Sequence, residues 1–316
     1  MFPALSRLEG PLFLTGPTAS GKTAVGVALA ERLGAEIISM DSMSVYRRME
    51  IGTAKPSAAD RQRVPHHLVD VLEPWQEFSL AEYLRAADEA VRAIQSRGRP
   101  VLFVGGTPLY LKSLQCGVDT GPPPDAALRA KLEEQAARQG TEALHRRLAE
   151  VDPAAAGRIH PNDLRRIVRA LEVFEKTGVP ISRGQVHFHR SPDRVAPVLC
   201  LELPRQELYH RINERVQAMF DRGLVAEVRN LLQLEQPLSR TARQALGYKE
   251  VIEHMEGRLS LSEAIERVQR RSRQFAKRQL TWFRSLSECQ RLQLDPGFDP
   301  NEVAERLVCF APHLPL

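Results

Sequence analysis

The sequence predicts an α/β fold: a core with a mostly parallel sheet, a mostly helical insertion, and C-terminal helices. Over the first hundred residues, short apolar segments alternate with helical ones. That rhythm packs helices on both faces of a parallel sheet. A glycine/proline cluster at Gly117–Pro124 then breaks the pattern, and strand character returns only at Ala196–Leu203. The expected division is therefore 1–115 with 195–316 as the core and 116–194 as the insertion.

In order, Pro11–Thr15 reads as a strand and Lys22–Leu33 as a helix. Glu36–Met40 is a second strand and His67–Leu72 a third. Ser79–Ser96 carries Leu80, Tyr83, Leu84, Ala87, Val91 and Ile94 at helical spacing. Ser79 with Glu82 three residues on makes a capping box. Pro100–Val104 is a buried-type strand. Asp125–Glu150 and Asp163–Thr177 read as helical, with stops at Gly140 and Gly178. Ala196–Leu203 rejoins the first sheet, and from Arg205 onward the chain reads as helical.

At 316 residues the chain suits roughly two domains. With 43% hydrophobic and 26% charged residues it is an ordinary globular composition, neither disordered nor a disulfide scaffold. No apolar run could span a bilayer, and Met1–Gly10 has no secretory character. The expectation is a cytoplasmic protein. Cys116, Cys200, Cys289 and Cys309 have no metal-binding spacing.

Gly16-Pro17-Thr18-Ala19-Ser20-Gly21-Lys22-Thr23 matches G-x-x-x-x-G-K-[ST] in full, with a strand before it and a helix after it. Such a loop turns backbone N–H groups and a helix N-terminus toward phosphate oxygens. Lys22 neutralises the terminal phosphate and the Thr23 hydroxyl ligates Mg²⁺ in this reading. A nucleotide hydrolase usually ends an apolar strand in an acid that holds Mg²⁺ and water. Val101–Val104 instead runs into Gly105-Gly106-Thr107, and only the second strand ends in a carboxylate, Asp41. A diphosphate ester used as an alkyl donor needs the same cradle and no hydrolytic water.

Ligands of a parallel sheet sit beyond the carboxyl ends of its strands. The loop 16–23, Asp41 and Thr107 all follow such ends and should converge on one edge. Asp41 also suits a turn or helix cap, and Thr107 before Pro108 also suits a turn. His66-His67 reads as structural.

Residues 267–284 contain Arg267, Arg270, Arg271, Arg273, Lys277, Arg278 and Arg284 with no acid. On a helical wheel these fall in one arc, opposite Val268, Phe275, Ala276, Leu280, Trp282 and Phe283. A row of one sign points to a polyanion, nucleic acid first. A second basic cluster, Arg165-Arg166 with Arg169, lies in the insertion.

Together these blocks resemble the bacterial tRNA dimethylallyltransferase family. They are Gly16–Thr23; Asp41-Ser42 with Val45-Tyr46-Arg47 and Ile51–Pro56; Val104–Tyr110; Asn162-Asp163 with Arg166 and Arg169–Glu172; Ala245–Glu250; and Lys277-Arg278-Gln279 with Thr281–Arg284. The resemblance runs from about Leu12 to Arg284. It implies transfer of a dimethylallyl group from dimethylallyl diphosphate to N6 of the adenosine immediately 3′ of the anticodon, with Mg²⁺, by a monomer.

It also implies that the donor diphosphate lies on Thr18–Thr23, with Asp41 as general base, Thr107 beside it, and Lys22 on the leaving group. The tRNA contacts it implies are Asp41, Ser42, Met43 and Ser44; Thr107 and Arg129; Arg165, Arg166, Ile167, Val168 and Arg169. Gln244, Ala245, Leu246, Gly247, Tyr248 and Lys249 follow, with Lys277, Arg278, Gln279, Leu280, Thr281, Trp282, Phe283 and Arg284. Met43-Ser44 stands where the family often has Arg-Gln, and Arg165 where Gln is usual. No zinc finger of the eukaryotic type is present. The rival readings are an adenylate dimethylallyltransferase, a P-loop kinase or NTPase, and a nucleic-acid-binding module with a structural nucleotide site.

Overall fold

The computed structural model describes residues 11–118, 120–184 and 196–309. Its centre is a six-stranded sheet, parallel throughout: β1 Leu12–Thr15, β2 Glu36–Ser39, β3 His66–His67, β4 Val101–Gly105, β5 Val198–Glu202 and β6 Cys289–Gln293. The order is β3-β2-β4-β1-β5-β6. Every residue of β1, β2 and β5 is buried, because helices cover both faces. The helix Lys22–Leu33 follows β1 and packs under the sheet through Val25–Ala30. The helix Leu80–Gln95 begins at the expected box, with Ser79 and Glu82 capping each other's backbone. Among the described residues no helix is long and apolar enough to cross a membrane.

Two strand expectations need correction. The third strand is two residues long, not His67–Leu72. Leu68 and Asp70 take left-handed backbone, φ 60° and 55°, which a pleated strand cannot continue. Leu72 makes only an isolated bridge to Tyr46. The C-terminal region is not wholly helical, because β6 adds to the sheet edge beside β5. Cys-Gln-Arg-Leu-Gln carries little strand signal, since an edge strand paired on one side has little to bury.

The described residues form two compact units, 112–184 and 11–111 with 196–309. The Met1–Gly10 reading and an insertion limit near residue 194 fall outside the described residues. In unit 112–184, the helices Ala126–Gln139, Thr141–Val151 and Leu164–Thr177 share a core of Leu132, Leu144, Leu148, Ile167 and Leu171. Glu172, with no exposed surface, accepts bonds from Arg129 Nε and Nη2, both 2.9 Å, from Arg169 Nη1 at 2.5 Å and from Asp125 N at 2.7 Å. Burial alone would raise its pKa, yet these donors together hold it down at about 2.

A depressed carboxylate stabilises the fold fully above its unfolded value of 4.5, and that contribution is lost as pH falls toward 2. Glu172→Ala also strands two arginines. It should destabilise this unit by about 3–5 kcal/mol in urea unfolding, the scale for breaking a buried ion pair. Matching midpoints for variant and wild type at pH 7 would refute that role.

A second core in the larger unit joins Val45, Tyr46 and Met49 to Leu224, Val228, Tyr248 and Val251. It fixes the loop that follows β2, the loop on which Asp41 sits.

Candidate active site

The loop 16–23 leaves β1 and enters the helix Lys22–Leu33 through Gly21, whose φ of 86° suits glycine and offers no side-chain cap. The first amides of that helix therefore remain available to an anion. Ala19 is also left-handed, at φ 65°, a strained state for a residue with a Cβ. Lys22 Nζ arches back to Pro17 O at 3.1 Å. Burial pushes its ammonium down to about 8, and the charge of Asp41 opposes that shift.

Thr18 departs from the expected role. Its amide donates to Gln279 Oε1 at 2.9 Å, and its hydroxyl accepts from Arg215 Nη2 at 2.5 Å. Its polar groups hold the loop in place, and the inner amides are left to the ligand.

Asp41 and Thr107 do come together. Thr107 N donates to Met40 O at 3.1 Å, and Thr107 Oγ1 accepts from Ser42 N at 3.3 Å. Asp41 Oδ1 accepts from Met43 N at 2.8 Å and Ser44 N at 3.4 Å, so the carboxylate is also the turn residue. Its Oδ2 has no protein donor among the described residues. A cavity of about 50 Å³ touches Lys22, Thr23, Asp41, Ser44 and Lys55. An outer pocket of about 410 Å³ touches the loop, Lys55, Arg211 and Arg215.

Several residues expected to meet tRNA are committed elsewhere. Ser44 is buried, its hydroxyl 2.8 Å from Ser39 Oγ, and Met43 packs against the second core. Ile167 and Val168 belong to the insertion core. Arg129 and Arg169 hold Glu172, and Arg169 also donates to Thr120 O and Pro122 O. Arg165 and Arg166 stay exposed. Ala245, Gly247 and Tyr248 are buried, which leaves Gln244, Leu246 and Lys249 nearer the surface.

The helix Leu261–Arg284 requires the largest correction. It packs through Ala264, Val268, Ser272, Ala276, Gln279 and Phe283, a stripe of i+3 and i+4 steps. Phe275 lies one residue off that stripe and is 38% exposed, so it does not belong to the core face. Nor is the basic arc unneutralised. Arg267 pairs with Glu253 at 2.8 Å, Arg271 with Glu250, and Arg284 with Glu202 at 3.1 Å. Arg273 donates to Asn213 Oδ1 at 2.5 Å. Arg270 and Lys277 have no acid partner among the described residues, and Arg278 lies 5.9 Å above the Phe275 ring. Thr281 and Arg284 are exposed; Leu280 and Trp282 are half-buried.

Gln279 is 3% exposed and is therefore no surface contact. It bridges the phosphate loop to β4, with Nε2 donating to Gly106 O at 2.6 Å.

Sequence reasoning missed three groups. Arg215 stands at the cradle with a buried Nε that has no acceptor, and burial lowers its pKa. Glu227 accepts the amides of Glu50, Ile51 and Gly52 at 2.9, 2.8 and 3.2 Å and the Tyr248 hydroxyl at 2.7 Å. A Cβ on Gly52 would lie 2.4 Å from the Tyr248 ring. Glu227 thus ties the 51–56 and 245–250 blocks together, and Thr53–Pro56 share a cavity with Lys22 and Thr23. Lys55, with 1% of its side chain exposed, is bound by Glu50, Asp70 and Tyr46 O. In a sequence full of arginines and glutamates, no local signal singles these out.

A phosphate loop at the end of a parallel sheet, with a carboxylate and a hydroxyl beside it, defines the class of P-loop proteins. The IPP transferase family model matches residues 44–286 and an isopentenyl transferase model matches 12–69. The chain belongs to the IPP transferase family. A tRNA dimethylallyltransferase of Geobacter metallireducens is 48% identical over 292 residues, 91% of this chain and 94% of that one. Among solved structures, the full-length tRNA isopentenylpyrophosphate transferase of Bacillus halodurans is 38% identical with a TM-score of 0.68, covering 96% of this chain and 97% of that one. A eukaryotic dimethylallyltransferase acting on tRNA aligns at 26% identity and a TM-score of 0.78, over 94% of this chain and 78% of that one.

Proposed function

We propose that the protein transfers the dimethylallyl group of dimethylallyl diphosphate to N6 of the adenosine immediately 3′ of the anticodon in tRNA, acting as a cytoplasmic monomer. The observation that carries the proposal is the meeting of the loop 16–23, Asp41 and Thr107 at one sheet edge, joined by Lys22 and Arg215. The adenine amine is a weak nucleophile, because its lone pair is delocalised into the ring. As it attacks the allylic carbon, positive charge builds on nitrogen, and Asp41 Oδ2 takes the proton. Oδ1 stays bound in the turn and aims the carboxylate. The carbon–oxygen bond to diphosphate breaks, and the charge that develops falls on the loop amides, Lys22 and Arg215. Thr107 positions the turn that carries Asp41. The target base must leave its stack to reach this edge.

Mg²⁺ belongs to the proposal. Among the described residues no cluster of three or more His, Cys, Asp or Glu could hold a metal. Thr23 lines the cavity shared with Lys22 and Asp41, and its hydroxyl would be the ion's protein ligand. When bound, it supplies further charge stabilisation to the leaving group.

Exposed cations on both units, Arg165 and Arg166 on one and Arg270, Lys277 and Arg278 on the other, favour a folded polyanion over free adenylate as acceptor. Labelled dimethylallyl diphosphate offered with unmodified tRNA or with AMP tests this. Label in tRNA alone is the expected outcome, and label in AMP alone would overturn it.

Each phosphate contact contributes roughly 0.7–0.9 to the slope of log affinity against log salt. Lys277→Ala with Arg278→Ala should flatten that slope by about one to two units and raise the Kd for tRNA. Neither residue lies on the buried stripe, so folding should survive. An unchanged slope would make these cations a merely solvated face.

A further inference from the structure

The helix Arg205–Asp221 carries Arg211 one turn before Arg215, on the same face. Both line the outer pocket of about 410 Å³ beside Ala19, Gly21, Lys22 and Thr23. Lys55 is already neutralised by Glu50 and Asp70 and Arg211 Nε by Glu207, so the charge this pocket offers an anion comes from Lys22, Arg215 and the Nη groups of Arg211, with Asp60 the acid on its lining. The Arg215 Nε is buried without an acceptor. Arg211 is fixed from two sides. Its Nε donates to Glu207 Oε1 at 2.7 Å, and its guanidinium carbon lies 4.9 Å from the centroid of the Phe298 ring. Its Nη groups have no protein acceptor among the described residues.

The Phe298 ring also reaches the phosphate loop, where a Cβ on Gly21 would come within 2.5 Å of its Cζ. Phe298 lies beyond residue 286, where the family match ends. One aromatic ring thus touches both the loop and the arginine that flanks it.

We infer that Arg211 is a phosphate-binding residue of the donor site, and that Phe298 is the positioning residue that holds its guanidinium against the phosphate loop. The inference rests on the reading that the donor diphosphate occupies the loop. A diphosphate has two phosphoryl groups. The loop amides and Lys22 take one, and the planar forks of Arg211 and Arg215 suit the oxygens of the other. A stacked arginine loses less freedom on binding than a mobile one, which gives the ring its role.

The test measures binding of inorganic diphosphate and KM for dimethylallyl diphosphate in the full-length protein. Arg211→Gln should weaken diphosphate binding roughly 10-fold or more, the scale of a lost charge-assisted bond. KM should rise and kcat/KM fall at least in parallel, with tRNA affinity little changed. Phe298→Leu keeps an apolar seat but loses the π face. It should weaken binding by about 2- to 5-fold, and in the Arg211→Gln background it should have no further effect.

Wild-type affinity in Arg211→Gln overturns the inference. A Phe298→Leu effect that persists without Arg211 overturns the positioning role and leaves the ring a packing residue. Lys22→Ala separates the two levels. If it abolishes diphosphate binding while Arg211→Gln does not, only this inference fails. If neither matters, the donor reading fails as well.

Discussion

Lys22→Ala should abolish prenyl transfer, lowering kcat/KM by at least ~10³-fold, because in the proposed mechanism it removes a cation that stabilises the leaving diphosphate. The loop should survive, since among the described residues Lys22 Nζ bonds only Pro17 O and the loop is held from outside by Gln279 and Arg215. The same group predicts a pH dependence. Burial places its pKa at about 8, so the free protein loses the charge as pH rises through that value. A bound diphosphate holds the proton on. KM for the donor should therefore be flat below pH 8 and climb above it, up to tenfold per pH unit. The wild type should hydrolyse ATP negligibly, because no acid follows β4 to orient water. Robust ATP turnover stimulated by tRNA would defeat the assignment.

Asp41→Asn should lower kcat by ~10²-fold or more, the usual loss for a general base, with tRNA affinity nearly unchanged. The substitution is a clean one. The asparagine oxygen can still accept the Met43 and Ser44 amides, so the turn persists while the proton acceptor disappears. Asp41→Ala removes the turn too, and should be worse in both folding and turnover. If Asp41→Asn keeps near-normal turnover but no longer binds tRNA, the residue is a contact and the base lies elsewhere.

The sequence by itself determined the elements whose signals are local. The phosphate loop, the helix after it, the Ser79–Glu82 cap and the buried strands β1, β2, β4 and β5 follow from residue spacing and from short-range bonding, which a few neighbours decide. The convergence of Gly16–Thr23, Asp41 and Thr107 was legible for the same reason, since a parallel sheet puts all strand ends on one edge.

Tertiary structure alone decided how charges were spent. Seven cations on one helix look unpaired until Glu202, Glu250 and Glu253 arrive from distant segments, and only then do Lys277 and Arg278 stand out from Arg271 and Arg284. Gln279 and Tyr248 look like surface contacts until packing buries them, one as the brace of the phosphate loop and the other as the wall against Gly52. Arg215 and Arg211 gain their meaning about 190 positions away from the loop they face. A long-range ion pair or a buried brace leaves no periodicity in the chain, because its energy depends on which segments meet.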